Sequence, residues 1–125
     1  MNRAGEQPLQ GEPAARILVA GASGYAGALA ARLVWNHPRL ELARTTARTD
    51  AGRSLEELYP SGGIPVVLEE PSGADADGID AAIVAYPHGA SAEAVAALRE
   101  AGVRVVDLSA DFRIRDPETY ARWYG

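Results

Sequence analysis

The sequence predicts an α/β fold: a doubly wound, mostly parallel sheet within one domain. Three observations carry the prediction. Short apolar runs recur that suit strands buried on both faces, each ends in a glycine-rich or polar turn, and helical periodicity resumes after most of those turns. At 125 residues, such a chain buries about two-thirds of its unfolded surface on folding.

The first strand is Ile17-Leu18-Val19-Ala20, and Gly21, Gly24 and Gly27 follow it at equal spacing. A strand that feeds a glycine turn and then a helix gathers backbone N–H groups and the positive end of the helix dipole at one spot, which suits a pyrophosphate. Gly21 permits the tight turn, Gly24 lets backbone approach phosphate, and Gly27 lets helix and strand pack closely. The spacing is G-x-x-G-x-x-G and not the stricter G-x-G-x-x-G, so a bare strand-to-helix turn is the competing reading. The strand before and the helix after favour a dinucleotide in a Rossmann-like fold.

The first helix is expected from Tyr25 to Asn36, with Ala26, Leu29, Ala30, Leu33 and Val34 as its buried stripe and Arg32 in water. Pro38 ends it, and Trp35 reads as packing. A second strand spans Leu40 to Thr46. An NAD site usually places an acid at the end of that strand to hold the ribose 2′-hydroxyl. Here the chain reads Thr45-Thr46-Ala47-Arg48-Thr49, with no acid before Asp50. A carboxylate repels a 2′-phosphate and a guanidinium binds it, so the sequence favours NADP, with Arg48 as main anchor and Thr49 assisting. The alternative is an arginine that merely meets solvent.

Beyond it, Ser54 caps a short helix with Glu56 and Glu57 in its first turn. Val66-Val67-Leu68 is a short strand, and residues 71–80 form an acidic surface loop. The next buried strand, Ala81-Ala82-Ile83-Val84-Ala85, ends in Tyr86-Pro87-His88-Gly89, at the sheet edge where α/β ligands bind. His88 there is a plain turn residue or a group near the cofactor. A helix from Ser91 or Ala92 to Ala101 turns Val95, Leu98 and Ala101 inward, and Gly102 ends it. Strand residues 103–108 lead to Ser109, Asp111 and Arg113 around Phe112. These polar groups are a substrate-side constellation, or simply a capped turn with an Asp–Arg pair. Residues 117–124 form a last helix, with Pro117 in its first turn.

Composition removes several functions. The net charge is −5 and no basic run exists, which argues against nucleic acid. The chain has no lysine, so neither a Walker phosphate loop nor a short-chain dehydrogenase using Tyr and Lys can be built. Without cysteine there is no disulfide, thiolate metal site or thiol nucleophile, and no metal site is expected. No apolar stretch reaches membrane-spanning length and no signal-peptide pattern precedes Arg16; residues 1–15 read as a disordered leader and the default compartment is cytoplasmic. Aromatics make up only 6%, so the core should be small-residue packing filled by Ile, Val and Leu.

From Arg16 to Gly125 the chain resembles the N-terminal part of the N-acetyl-gamma-glutamyl-phosphate reductases, within the semialdehyde dehydrogenase group. The resemblance rests on Gly-Ala-Ser-Gly-Tyr-Ala-Gly at 21–27, Ala-Arg-Thr-Asp-Ala-Gly-Arg at 47–53, Pro-His-Gly-Ala-Ser at 87–91 and Asp-Leu-Ser-Ala-Asp-Phe-Arg at 107–113. It implies NADPH-dependent reduction of an acyl phosphate to an aldehyde, through a cysteine thiolate and with help from a histidine. It also implies that Gly21, Ser23, Gly24, Tyr25, Ala26 and Gly27 hold the pyrophosphate, and that Arg48 and Thr49 take the 2′-phosphate. Pro87 and His88 then lie by the nicotinamide ribose, and Ser109, Asp111 and Arg113 border the cleft.

Two residues depart from the family pattern: Ala26 stands where threonine is usual, and Tyr86 where a small aliphatic is usual. The family's cysteine and histidine lie in a second domain, so the chain reads as a single truncated domain with no catalytic residue of its own. Its substrate, N-acetyl-glutamyl phosphate, and a homo-oligomeric state then belong to the whole enzyme. Such a fragment should expose an apolar patch where other segments dock. The competing readings are a non-catalytic dinucleotide-binding module, or a piece of aspartate-semialdehyde dehydrogenase or a lysine-pathway relative. The Asp-Phe-Arg ending favours the glutamyl enzyme.

Overall fold

The computed structural model describes residues 7–87, 89–109 and 116–124, and the backbone alone of Tyr120 and Tyr124. Four parallel strands form one sheet in the order β2-β1-β3-β4. They are β1 (Ala15–Ala20), β2 (Leu40–Thr46), β3 (Ala81–Val84) and β4 (Arg104–Asp107). Helix α1 (Tyr25–Trp35) joins β1 to β2, the short α2 (Leu55–Leu58) follows β2, α3 (Ala92–Glu100) joins β3 to β4, and α4 (Pro117–Tyr124) comes last.

Strand alternation divides the core in two. Ile17 and Val19 of β1 point to one face, where Ala31 and Val34 of α1 cover them together with Leu55, Ile64 and Leu68. Leu18 and Ala20 point to the other, against Ala82 and Val84 of β3, Val95 and Leu98 of α3, and Val103. From the adjacent strands β1 and β3 the chain winds outward in opposite directions, which puts α1 and α3 on opposite faces. The expected doubly wound parallel sheet is present. A crevice opens at the carboxyl ends of β1 and β3, where the strand order reverses.

The buried stripe of α1 differs from the expected one. Gly27, Ala31 and Val34 are its buried residues, whereas Leu29 is 54% and Leu33 64% exposed, and Ala26 also faces out. Gly27 sets the helix phase. A Cβ there would collide with the carbonyl oxygen of Gly21, so this position must lie against the turn after β1. Residues 31 and 34 share its face and residues 29 and 33 do not. Arg32 faces water as expected, and Trp35 packs partly buried on the α1-side core.

Three further expectations shift. Ala101 points outward, because α3 ends at Glu100 and the turn to Gly102 (φ +84°) carries the chain away. Residues 66–68 form no strand: Val67 bridges Ser54 antiparallel while Glu69 bridges Thr46 in parallel, so the segment changes partner within two residues. Pro65 and Pro71 bracket it and Leu68 is buried, which leaves a rudimentary outer rung beside β2. Finally, residues 7–14, read as part of a disordered leader, are held against the edge of β2. The Gln7 side chain donates to the carbonyls of Val34 and Leu40 and accepts from the Leu42 N–H.

Gly24 sits in a different environment from Gly27: a Cβ there meets nothing within 4 Å. Gly27→Ala should therefore lower stability in urea unfolding by about 1–3 kcal/mol through overpacking. Gly24→Ala should leave the unfolding midpoint close to that of the parent chain.

Candidate dinucleotide site

All the predicted site residues that the structure describes lie at the carboxyl edge of the sheet. After β1 the chain turns at Gly21, whose φ of +80° suits glycine alone. A Cβ on Gly21 would stand 2.8 Å from the carbonyl carbon of Ala85 and from the backbone nitrogen of Tyr86. The turn is thus pressed against the backbone leaving β3. From the other side, the N–H groups of Gly21 and Ala22 both donate to the carbonyl oxygen of Thr46, each at 2.9 Å. The glycine turn is fixed between the ends of β2 and β3.

Gly24 is the N-cap of α1, in extended conformation. Among the described residues no side chain caps this helix, and no acid stands in its first turn, so its partial positive charge is left uncompensated by them. Ser23, Gly24, Tyr25 and Ala26 lie at this end, Tyr25 and Ala26 exposed. Alanine at position 26 offers no hydroxyl, so backbone N–H groups are the donors available here.

Sequence reasoning missed Tyr59, which closes α2. Its hydroxyl donates to the carbonyl oxygen of Ser23 at 2.6 Å, and its ring stands 5.8 Å from that of Tyr25 at 59°. The phenol's pKa is raised above the ordinary tyrosine value, first by loss of hydration and then by the nearby Tyr25 and Asp50. In sequence it is one aromatic before Pro60, and only the return of α2 onto α1 brings it to Ser23.

At the end of β2, Thr45, Thr46 and Ala47 are buried, and Arg48 and Thr49 emerge exposed. The Arg48 guanidinium carbon lies 4.9 Å from the centroid of the Tyr86 ring. The nearest acid in sequence, Asp50, faces Arg53 instead, at 3.5 Å. A cleft of about 430 Å³ opens here on the α3 side, with Leu18, Ala20 and Ala97 in its apolar wall and Arg48, Ser72, Asp75, Tyr86 and Glu93 as its polar residues. Pro87 is exposed at the end of β3, and Ser109 is buried beyond β4, its N–H donating to Asp107 Oδ1 at 2.9 Å. His88, Asp111 and Arg113 lie outside the described residues. Among the described residues no group of His, Asp and Glu side chains is placed to hold a metal ion, and no helix is long and apolar enough to cross a membrane.

The family model for the semialdehyde dehydrogenase NAD binding domain matches residues 16–122. The chain belongs to this family. The chain is similar to N-acetyl-gamma-glutamyl-phosphate reductase of Rhodopirellula baltica, 46% identical over 114 residues, covering 88% of this chain and 33% of that protein. The corresponding protein of Rubrobacter xylanophilus is 47% identical over 106 residues, or 84% of this chain and 31% of that one. The chain therefore spans about a third of the length of the curated relatives it matches. A crystal structure of aspartate semialdehyde dehydrogenase with NADP from Candida albicans superposes with a TM-score of 0.68 at 21% identity, over 81% of this chain and 31% of that one. At that identity the likeness concerns the fold. The semialdehyde dehydrogenase NAD binding domain thus has a Rossmann-like sheet, and its matched relatives are named reductases acting on a small molecule.

The Tyr59 shift has a testable consequence. A folded-state pKa above the unfolded value favours the protonated phenol. Its contribution to stability is therefore complete below about pH 10 and is lost as pH rises through the folded value. Tyr59→Phe should cost about 1 kcal/mol in urea unfolding at neutral pH. The difference between the two proteins should shrink when the titration is repeated near pH 11.

Proposed function

We propose that this chain is the NADP-binding part of an N-acetyl-gamma-glutamyl-phosphate reductase, with residues 16–125 as the cofactor domain. One observation carries the assignment: a helix N-terminus without a side-chain cap and an exposed arginine that pairs with no acid among the described residues stand along one sheet edge. The first lies where Gly24 leaves open space, and the second replaces the acid an NAD site would use. The cradle fits the group, because any side chain at Gly21 or Gly27 would be driven into backbone, whereas Gly24 leaves its outer side clear.

In this reading the backbone of Gly21, Ser23, Gly24, Tyr25, Ala26 and Gly27 holds the pyrophosphate by N–H donation and the α1 dipole. Arg48 pairs with the 2′-phosphate through its planar fork of donors, assisted by the Thr49 hydroxyl. Pro87 and His88 border the nicotinamide ribose, and Ser109, Asp111 and Arg113 the substrate side. The bound dinucleotide supplies hydride to the acyl carbon, and the domain's own contribution is to hold and orient it.

No cysteine exists among these 125 residues, so the thiolate such a reduction uses belongs to another part of the whole enzyme. That enzyme acts on N-acetyl-glutamyl phosphate in the cytoplasm as a homo-oligomer, and this domain alone turns over no substrate. The 46–47% identity to the named relatives favours this substrate over aspartyl phosphate.

Calorimetric titration with NADPH and NADH tests the assignment. The parent chain should bind NADPH more tightly. Arg48→Ala should weaken NADPH about tenfold or more, the worth of a charge-assisted pair, and leave NADH within about twofold. An unchanged preference would overturn the role of Arg48. Gly24→Ala should weaken both dinucleotides, since its methyl group would occupy the approach to the pyrophosphate.

A further inference from the structure

We propose that Tyr86 is a positioning residue for the Arg48 guanidinium: its ring holds Arg48 over its face at the end of β2 and so sets the selectivity for a 2′-phosphate. The inference rests on the reading of Arg48 as the anchor of that phosphate.

Tyr86 follows the carboxyl end of β3, which closes at Val84. It is 7% exposed and packs in the α3-side core with Ala20 and Val84. Its hydroxyl lies 3.2 Å from Thr46 Oγ1, and Thr46 is itself fully buried at the end of β2. Its carbonyl accepts from the Ser91 hydroxyl at 3.3 Å. The ring is therefore fixed at both ends and spans from β3, across β1, to β2.

Arg48 lies over this ring at 4.9 Å and has no ion pair or hydrogen bond with any of the described residues. A guanidinium drawn to an aromatic face uses the attraction of the ring quadrupole for a cation and spends none of its N–H donors. All five donors remain in the guanidinium plane, free for a dianionic phosphate. Without the ring, a long exposed side chain samples many rotamers and must be ordered when the ligand binds. An aliphatic residue at position 86 would remove the platform and leave the charge.

Thr46 ties this arrangement to the glycine turn. Its carbonyl oxygen receives the N–H groups of Gly21 and Ala22, and its hydroxyl meets the phenol that carries Arg48. One buried residue thus fixes both the turn that faces the pyrophosphate and the platform for the 2′-phosphate cation. The spacing of the two anion sites follows from the sheet.

The test uses the 125-residue chain and two small probes, adenosine 2′,5′-bisphosphate and 5′-AMP, titrated by calorimetry. Tyr86→Leu should reduce the preference for the bisphosphate about five- to tenfold and leave 5′-AMP within about twofold, the scale of a partly desolvated cation–π contact. Tyr86→Phe keeps the ring and should retain the preference within about twofold. Arg48→Ala should abolish it. If Arg48→Ala abolishes the preference and Tyr86→Leu leaves it intact, the positioning role is overturned and the assignment of Arg48 stands. If Arg48→Ala leaves the preference intact, or the parent chain shows none, the assignment of Arg48 falls and this inference with it. A ligand-free NMR measurement decides the matter even if Tyr86→Leu fails to fold. The Arg48 side-chain protons, assigned with Arg48→Lys, should be displaced upfield by the Tyr86 ring current, and ordinary shifts would overturn the proposal.

Discussion

The close approach of α1 to the turn after β1 is the constraint on which the rest depends. Gly27 faces the carbonyl of Gly21 with no room for a methyl group, and Gly21 in turn faces the backbone between Ala85 and Tyr86. Three segments therefore meet at van der Waals distance through backbone alone. That contact fixes the rotation of α1, and the rotation decides which residues become core. It also aims the uncapped end of the helix at the crevice between β1 and β3. Gly21 and Gly27, which permit this contact, also set the open outer side of Gly24 at the start of α1.

Around that contact the polar groups are arranged so that the backbone of the turn is satisfied without using its outer side. Thr46 takes two N–H groups from the inner side, and Tyr59 takes the Ser23 carbonyl. Buried backbone groups need such partners, and here one comes from the last residue of β2 and the other from the end of α2. The outer side of Gly24 remains clear, and the first turn of α1 carries no acid. The positive end of the α1 dipole, about half an elementary charge, is therefore left without a side-chain partner at this turn. Exposed apolar residues lie on the opposite side of α1, at Leu29 and Leu33, at Val106 of β4 and at Leu108 just beyond it.

Much of the architecture was legible in the sequence because it is written in local chemistry. The strands β1 and β2, the capped start of α2 at Ser54 and the end of α3 before Gly102 follow from apolar runs, an N-cap hydroxyl and a glycine suited to positive φ. The stripe of α1 was misread for a physical reason. Hydrophobicity ranks Leu29 and Leu33 above Gly27, whereas the packing distance at the turn outranks hydrophobicity. Residues 66–68 were misread because a three-residue apolar run carries no information about how many partners it will have. The roles of Tyr59 and Tyr86 had no sequence signal beyond their type, since their contacts join residues 36 and 40 positions apart.

The sequence alone determined the class of fold, the place of the glycine turn, and the replacement of an acid by Arg48 at the end of β2. Each depends on residues adjacent in the chain, so covalent order suffices to set it. Tertiary structure alone decided which face of α1 is buried, that Tyr59 anchors the turn after β1, and that the Tyr86 ring lies beneath Arg48. Those outcomes depend on which strands become neighbours, and in a parallel sheet with outward winding the neighbours are far apart in sequence.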